Sequence, residues 1–243
     1  MKRNNGLIII PAYNEEENLR QVLAEVAQHN PGLDVLVVND HSCDRTSVLA
    51  RELGAEVIDL PCNLGYGGAV QAGFRYAREF QYDFCIQLDG DGQHDPSYIP
   101  KLVQEITRTE ADVVLGSRFL GKANYRIPAI RRLGMRFFGA IVSWTTGKKV
   151  TDPTTGYQAL NAHAIRFFAN DNYPTDYPDA DTLIVLNYAG FNVKEVPVVM
   201  RQRIAGVSMH ANWNSIYYVI KMCLAIFVVL LRGRRYYGAA KLA

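Results

Sequence analysis

The chain has 243 residues, enough for one α/β domain with a substantial buried core. Its 26 Lys and Arg nearly balance its 24 Asp and Glu, so no overall positive field marks it as a nucleic-acid-binding protein. The four cysteines are widely spaced and form no CxxC pair, which argues against a disulfide framework or a zinc site and fits a reducing cytosol.

Short apolar runs alternate with segments of helical periodicity through the first half of the chain. The runs are Leu7–Ile10, Val35–Val38, Val57–Leu60, Phe84–Leu88 and Val113–Leu115, and the helical segments lie near 15–29, 44–53, 67–80 and 97–109. This alternation predicts an α/β fold with a mostly parallel central sheet flanked by helices. Ligands of such sheets bind beyond the carboxyl ends of the strands, so the segments after the runs are candidates for the functional site.

Polar segments follow the first three runs. In PAYNEEEN, Tyr13 and Glu15 are candidates to line a nucleoside pocket, although helix capping alone explains the acidic residues. In NDHSCDRT, the Asp40 carboxylate is a candidate to bind a base or a ribose. Gly65 lies in NLGYGG, where backbone N–H groups at a helix start can bind a donor phosphate, and a tight turn explains this loop equally well.

The strongest local feature is DGDGQH, residues 89–94, directly after the fourth run. Asp89 and Asp91 can converge on one divalent cation when the glycines let the backbone turn, and hard oxygen ligands suit Mg²⁺ or Mn²⁺. Such an ion would orient a diphosphate donor and neutralise the charge that builds as the nucleoside diphosphate leaves. An ordinary Asp-Gly turn is an equal alternative for this motif taken alone.

Basic residues become frequent after the fifth run. Arg118, in Gly116-Ser117-Arg118, can bind phosphate with its planar guanidinium, although a surface arginine is the default interpretation. Arg126 and Arg131 are further candidates to bind an acceptor phosphate. If the acceptor is instead a hydroxyl, a carboxylate base is required, and the candidates are Asp152, Asp179 and Asp181. Turn and helix-cap roles explain these aspartates equally well.

The C-terminal tail is apolar. Ile216–Leu231 contains few polar residues and is followed by RGRR. At ~1.5 Å per residue these 16 residues would span roughly 24 Å, less than the roughly 30 Å hydrocarbon core of a bilayer. The flanking tyrosines and arginines favour an interfacial helix at a membrane surface, or a contact with a small membrane protein or another copy of the chain. A helix packed on the protein's own core is the alternative.

Seven motifs occur in order over roughly residues 7–210, and their combination is far more specific than any one of them. They are PAYNEEEN, NDHSCDRT, NLGYGGAVQAG, QLDGDGQHDP, GSRF, DPTTGYQAL and RQRIAGVS. Together they resemble the family-2 glycosyltransferases, and among these the dolichol- and polyprenyl-phosphate sugar transferases. The resemblance implies a GT-A domain over 1–212, with a nucleotide-sugar half of about 1–116 and an acceptor half of about 117–212. Residues 213–243 would form the hydrophobic helix and basic tail.

The resemblance also implies an activity. This activity is the transfer of a sugar, with inversion, from a nucleotide-sugar to a polyprenyl phosphate at the cytoplasmic face of the membrane. A UDP-sugar is favoured over a GDP-sugar as the donor, and the reaction would use Mn²⁺ or Mg²⁺. The residues implied for the nucleoside are Pro11, Tyr13, Glu15 and Asp40. Those implied for the metal and the donor diphosphate are Asp89, Asp91 and Gln93. Arg118 and Arg203 would bind phosphate, and Ser208 would help to close a loop over the donor.

Two other functions stay open on the sequence alone. A transferase that glycosylates a sugar hydroxyl would share the whole donor half, and the apolar tail and the arginines of 118–136 favour the lipid phosphate over it. A non-catalytic membrane subunit that binds nucleotide-sugar is the second alternative. The intact carboxylates Asp89 and Asp91 argue against that subunit.

Overall fold

The structure is a computed structural model that describes residues 5–120, 129–170, 173–174, 178–201 and 214–242. The strands are β1 (Gly6–Ala12), β2 (Asp34–Asn39), β3 (Glu56–Asp59), β4 (Phe84–Gln87), β5 (Val113–Ser117), β6 (Gln158–Asn161) and β7 (Val193–Pro197). The helices are α1 (Glu16–His29), α2 (Thr46–Glu52), α3 (Gly65–Glu79), α4 (Ile99–Arg108), α5 (Ala129–Thr146), α6 (Ala162–Ala169), α7 (Ala180–Tyr188) and α8 (Asn214–Leu242).

The seven strands form one mixed sheet in the order β3-β2-β1-β4-β6-β5-β7. All neighbours are parallel except β6, which runs antiparallel to both β4 and β5. The predicted mostly parallel sheet is therefore confirmed, and each of the five apolar runs forms a strand. The two short strands β6 and β7 were not among the predicted runs.

The sheet is buried on both faces, as expected for strands joined by crossover helices. Successive side chains of a strand point to opposite faces, so β1 contributes to two cores. Leu7 and Ile9 pack with Phe74 of α3 on one face, whereas Ile8 and Ile10 pack with residues of α1 on the other. Burial of β1 on both sides fixes the position of its carboxyl end, where the first polar loop begins.

The C-terminal helix α8 packs against α7 and has two different faces. Met222, Ile226 and Val229 are buried in the core, and Gly233, with φ of 67°, introduces a kink after them. The opposite face of the helix is apolar and exposed. Within the part of the chain that is described, no helix combines the length and the apolar character needed to cross a bilayer.

Candidate active site

The loops after β1, β2, β3 and β4 meet at one edge of the sheet, because these strands are parallel neighbours. They enclose an open cleft of about 440 Å³. Several residues that the sequence singled out separately lie together in its wall, namely Pro11, Tyr13, Glu15, Asp40, Gly65, Asp89 and Asp91. The structure thus assembles the predicted donor residues of the first half of the chain around one cavity.

The cleft is acidic. Four carboxylates line it, those of Glu15, Asp40, Asp89 and Asp91, and no Lys or Arg lines it among the described residues. A diphosphate entering such a cavity requires a bound cation to offset the negative charges. The described residues include no group of three or more His, Cys, Asp or Glu that could hold a metal by themselves. Two carboxylates completed by substrate phosphates are the usual arrangement for Mg²⁺, so the residues present fit this kind of ion.

The metal motif is a tight loop that leaves β4. Gly92 has φ of 77°, a conformation that favours glycine, and the Asp91 Oδ1 accepts the Gln93 N–H at 3.0 Å. Gln93 itself does not belong to the wall of the cleft. The structure therefore brings Asp89 and Asp91 together at the cleft and leaves the predicted contribution of Gln93 as a prediction.

His94 supports this loop from inside the protein. It is buried and stacks on Tyr157 with ring centroids 4.8 Å apart, and burial lowers the pKa of His94 to about 4. Its Nδ1 accepts the backbone N–H of Asp89 at 3.0 Å, so the hydrogen of the neutral ring lies on Nε2. That Nε2 is 3.6 Å from Asp89 Oδ2. The imidazole thus holds the backbone of Asp89 in place through this hydrogen bond, while its Nε2 lies close to the carboxyl group beyond hydrogen-bond distance.

Asp40 is buried beside the start of α3. Its Oδ1 accepts the Leu64 N–H at 2.7 Å, and its Oδ2 accepts the Gly65 N–H at 2.9 Å. The Gly65 N–H therefore already has acceptors within the protein, those of Asp40 and Asn63, and binding of donor phosphate at this helix start stays a prediction. Gly65 still lines the cleft, and a role of Asp40 toward a nucleoside stays a prediction.

Arg118 and Asp152 form one buried ion pair. The guanidinium donates from Nε to Asp152 Oδ2 at 2.6 Å and from Nη2 to Oδ1 at 2.5 Å, and the Arg118 N–H reaches Oδ2 at 3.0 Å. Arg118 is 8% exposed and Asp152 is 0% exposed. The default interpretation of a surface arginine is therefore wrong. Asp152 would have to leave this pair to act as a separate base, because both of its carboxylate oxygens accept from Arg118.

The start of α7 carries Asp179 and Asp181. Asp179 is the N-cap residue without a side-chain capping bond, and its N–H donates to Asp181 Oδ1 at 3.3 Å. Asp181 is 4% exposed, and burial raises the pKa of its carboxyl group to about 6. Burial and then the charges of Asp179, Asp181 and Asp89 raise the pKa of Tyr173 well above its ordinary value. These acids therefore lie within electrostatic range of one tyrosine, which places the start of α7 near the metal motif.

Sequence reasoning missed Tyr66, which lines the cleft and donates a hydrogen bond to Asp89 Oδ1 at 2.7 Å. The NLGYGG loop was singled out for its glycines, and the tyrosine between them gave no separate signal. Three predicted residues, Arg126, Arg203 and Ser208, lie outside the described residues, and so does the side chain of Arg131 on α5. Their proposed roles stay predictions.

Comparison with known proteins agrees with the geometry. Residues 7–173 match the family described as Glycosyl transferase family 2. An undecaprenyl-phosphate mannosyltransferase of Micrococcus luteus is 33% identical over 217 residues, which cover 83% of this chain and 86% of that protein. A UDP-N-acetylglucosamine–dolichyl-phosphate N-acetylglucosaminyltransferase of Methanococcus voltae is 29% identical over 210 residues, which cover 79% of this chain and 83% of that protein.

A solved structure shares the fold. Glucosyl-3-phosphoglycerate synthase from Mycobacterium tuberculosis, in complex with Mn²⁺ and UDP-glucose, superposes with a TM-score of 0.70 over 92% of this chain and 78% of that one. Its sequence identity is 18%, so this likeness concerns the fold alone. The family match covers well over half of the chain, and the chain therefore belongs to glycosyltransferase family 2.

Proposed function

We propose that this enzyme transfers a sugar from a nucleotide-sugar to a polyprenyl phosphate, with Mn²⁺ or Mg²⁺ bound at Asp89 and Asp91. The observation that carries the proposal is the acidic cleft, which is lined by Asp89 and Asp91 of one strand-end loop and by no Lys or Arg among the described residues. The names of the relatives from Micrococcus luteus and Methanococcus voltae support a polyprenyl-type phosphate as acceptor. The name of the latter also supports UDP as the carrier of the donor sugar.

The reaction needs nucleophile positioning more than proton removal. An acceptor phosphate is already largely dianionic at neutral pH, because its second pKa is ~6. One of its oxygens would attack the anomeric carbon in line and displace the nucleoside diphosphate from the opposite face, with inversion. When bound, the divalent ion would offset the charge that develops on this leaving group. Asp89 and Asp91 would hold the ion, with Gln93 beside them.

The remaining site residues have proposed roles in binding. Tyr13 lines the cleft and is half exposed, which leaves its ring accessible to the base of a bound nucleotide. Pro11, Glu15 and Asp40 would complete the nucleoside pocket. Four cations are proposed to bind phosphate, Arg118, Arg126, Arg131 and Arg203. Ser208 is proposed to help close a loop over the bound donor.

The C-terminal helix supports action at a membrane surface. Ile220, Leu224, Phe227 and Leu231 form an exposed apolar stripe on α8, with exposures of 56%, 59%, 57% and 70%. Residues 196–243 contain no Asp or Glu and seven cations, Arg201, Arg203, Lys221, Arg232, Arg234, Arg235 and Lys241. An apolar stripe within a purely cationic segment matches the cytoplasmic leaflet, whose anionic lipids attract basic residues.

A second copy of the chain or a small membrane protein is the competing partner for this stripe. Two copies would bring two cationic segments together, which is unfavourable. Flotation with phosphatidylglycerol-containing vesicles tests the membrane assignment. We expect Leu224→Glu to reduce binding at least tenfold, whereas Val48→Glu, on an exposed site of α2, leaves it unchanged. Binding that is unaffected by Leu224→Glu would reject the assignment.

A hydroxyl acceptor is the second candidate function, and Asp181 is the observation that favours it. A buried carboxyl group with a pKa near 6 is suited to act as a general base near neutral pH. Transfer to an oligosaccharide that is lost in Asp181→Asn, without transfer to lipid phosphate, would favour this alternative. Transfer to lipid phosphate that persists in Asp181→Asn would favour the phosphate acceptor.

The direct test is transfer of radiolabelled sugar from a panel of UDP- and GDP-sugars to undecaprenyl phosphate with Mn²⁺ or Mg²⁺. We expect label in the lipid fraction with one donor, loss of activity with EDTA, and loss of at least a hundredfold in Asp91→Asn. The matched control is Asp83→Asn, which changes an exposed aspartate just before the opposite end of β4. Lipid labelling that is equal in Asp91→Asn and wild type would overturn the metal assignment.

A further inference from the structure

A chain of three hydrogen bonds runs from the interior of the sheet to Asp89. Gln158 Nε2 on β6 donates to Gln87 Oε1 on β4 at 2.8 Å. Gln87 Nε2 donates to the Tyr66 hydroxyl at 2.8 Å, and that hydroxyl donates to Asp89 Oδ1 at 2.7 Å. The four side chains come from β6, β4, α3 and the loop after β4, so this series of hydrogen bonds links two strands and a helix to the metal motif.

The hydrogen bonds have one direction. The Gln87 carbonyl oxygen is used by Gln158, which leaves the Gln87 amide hydrogens to face Tyr66. The Tyr66 oxygen accepts from that amide, and its own hydrogen points to the Asp89 carboxylate. A carboxylate that receives such a fixed donor is held in one rotamer with its charge stabilised.

The two glutamines lie in an unusual place. They are direct partners across the antiparallel β4–β6 pair, at the carboxyl end of β4, and both side chains are buried. Two apolar side chains would fill this position without the cost of removing two amides from water. The hydrogen-bonded glutamine pair therefore has a role beyond packing. Of the four side chains in this series of hydrogen bonds, Asp89 alone carries a charge.

Gly156 provides an independent sign that this arrangement is specific. A Cβ atom at position 156 would lie 2.5 Å from the Tyr66 hydroxyl oxygen and 3.4 Å from Asp89 Oδ1. Real Cβ atoms essentially never approach a heavy atom this closely, so a side chain at position 156 would require the Tyr66 hydroxyl to move from its place. The glycine of the DPTTGYQAL motif thus keeps open the space in which the two groups meet.

We propose that Tyr66 is a positioning residue for metal binding, which fixes the Asp89 carboxylate through the support of Gln87 and Gln158. The proposal rests on the proposed function, since it takes Asp89 as a ligand of Mn²⁺ or Mg²⁺. Hydrogen bonds to a ligating carboxylate orient it and set its affinity, and their loss typically weakens metal binding ~10–100-fold. Tyr66 acts through Asp89 and takes no part in bond making itself.

The test measures Mn²⁺ binding by electron paramagnetic resonance of the free ion, in the presence of UDP and, separately, of GDP. Tyr66→Phe is expected to weaken Mn²⁺ binding about tenfold. In the transfer assay, the Mn²⁺ concentration for half-maximal rate would rise by the same factor, with little change in rate at saturating Mn²⁺. Tyr76→Phe is the matched control, because it removes a hydroxyl that hydrogen-bonds the exposed Glu56 from the same helix, away from the cleft.

A second variant tests whether the hydrogen bond from Gln87 to Tyr66 contributes to metal binding. Gln87→Met removes the amide that fixes the Tyr66 hydroxyl and should weaken Mn²⁺ binding by a smaller factor, with no further loss in the double variant with Tyr66→Phe. Wild-type affinity in a folded Tyr66→Phe protein, or additive losses in the double variant, would overturn the positioning role. Failure of the wild type to bind Mn²⁺ with either nucleotide would instead overturn the metal-dependent function and this proposal with it.

Discussion

Replacing Asp181 by Asn should stabilise the protein at neutral pH and leave its stability nearly unchanged at pH 4. Burial raises the pKa of this carboxyl group from 3.8 to about 6, whereas in the unfolded chain it titrates at its ordinary value. The folded state therefore binds the proton more tightly. The stability contributed by protonated Asp181 is fully present below pH 3.8 and is lost as pH rises through 6. The difference between the two pKa values corresponds to about 3 kcal/mol.

Urea unfolding followed by circular dichroism at pH 4, 5, 6 and 7.5 measures this effect. Among the described residues, the titratable groups that interact with Asp181 include Asp179, Tyr173 and Tyr237. Burial raises the pKa of both tyrosines, so the tyrosines stay neutral across this range. We expect the free energy of unfolding of Asp181→Asn to exceed that of the wild type by about 3 kcal/mol at pH 7.5. A difference that does not change with pH, or a variant that is less stable at pH 7.5, would refute the reasoning.

Three further substitutions are predicted to lower the free energy of unfolding, measured by urea at pH 7. Asp152→Asn should lower the free energy of unfolding by about 3–5 kcal/mol, because it leaves the buried Arg118 charge without its carboxylate partner. A decrease below about 1 kcal/mol would mean that water solvates Arg118. Asp40→Asn should cost about 1 kcal/mol by weakening the capping of α3, and unchanged stability would contradict that role. Gly73→Ala should cost about 1–3 kcal/mol, since its Cβ would lie 2.4 Å from Ile9 Cγ2, and a neutral result would show that β1 can shift.

The parallel part of the fold could be predicted from the sequence because its strands are buried on both faces. Runs such as Leu7–Ile10 are continuously apolar and are bounded by polar loops, so they stand out from amphipathic helices. The strands β6 and β7 carry no such signal. β6 reads Gln-Ala-Leu-Asn, and β7 includes Lys194 and Glu195, so neither forms an apolar run.

Of the site residues, only those that directly follow a strand could be placed together from the sequence. The carboxylates of Glu15, Asp40, Asp89 and Asp91 follow strands, and parallel pairing brings such residues together without further information. The pairing of Arg118 with Asp152 was not predictable, because it joins residues 34 positions apart through the antiparallel return of the chain. The Gln158–Gln87 contact spans 71 positions and depends on the register of a strand that has no pattern of its own.

The antiparallel strand β6 also has a consequence for biosynthesis. It lies between β4 and β5, so the five strands that the ribosome makes first cannot complete their sheet until residues 158–161 have emerged. Until then β4 has an unpaired edge, and β5 has no strand beside it on either side, since β7 follows later still. Pairing over such long separations is slow and leaves hydrophobic edges exposed. The nascent chain therefore exposes these unpaired strand edges after β5 emerges and before β6 does, and a holding chaperone would protect it in that interval.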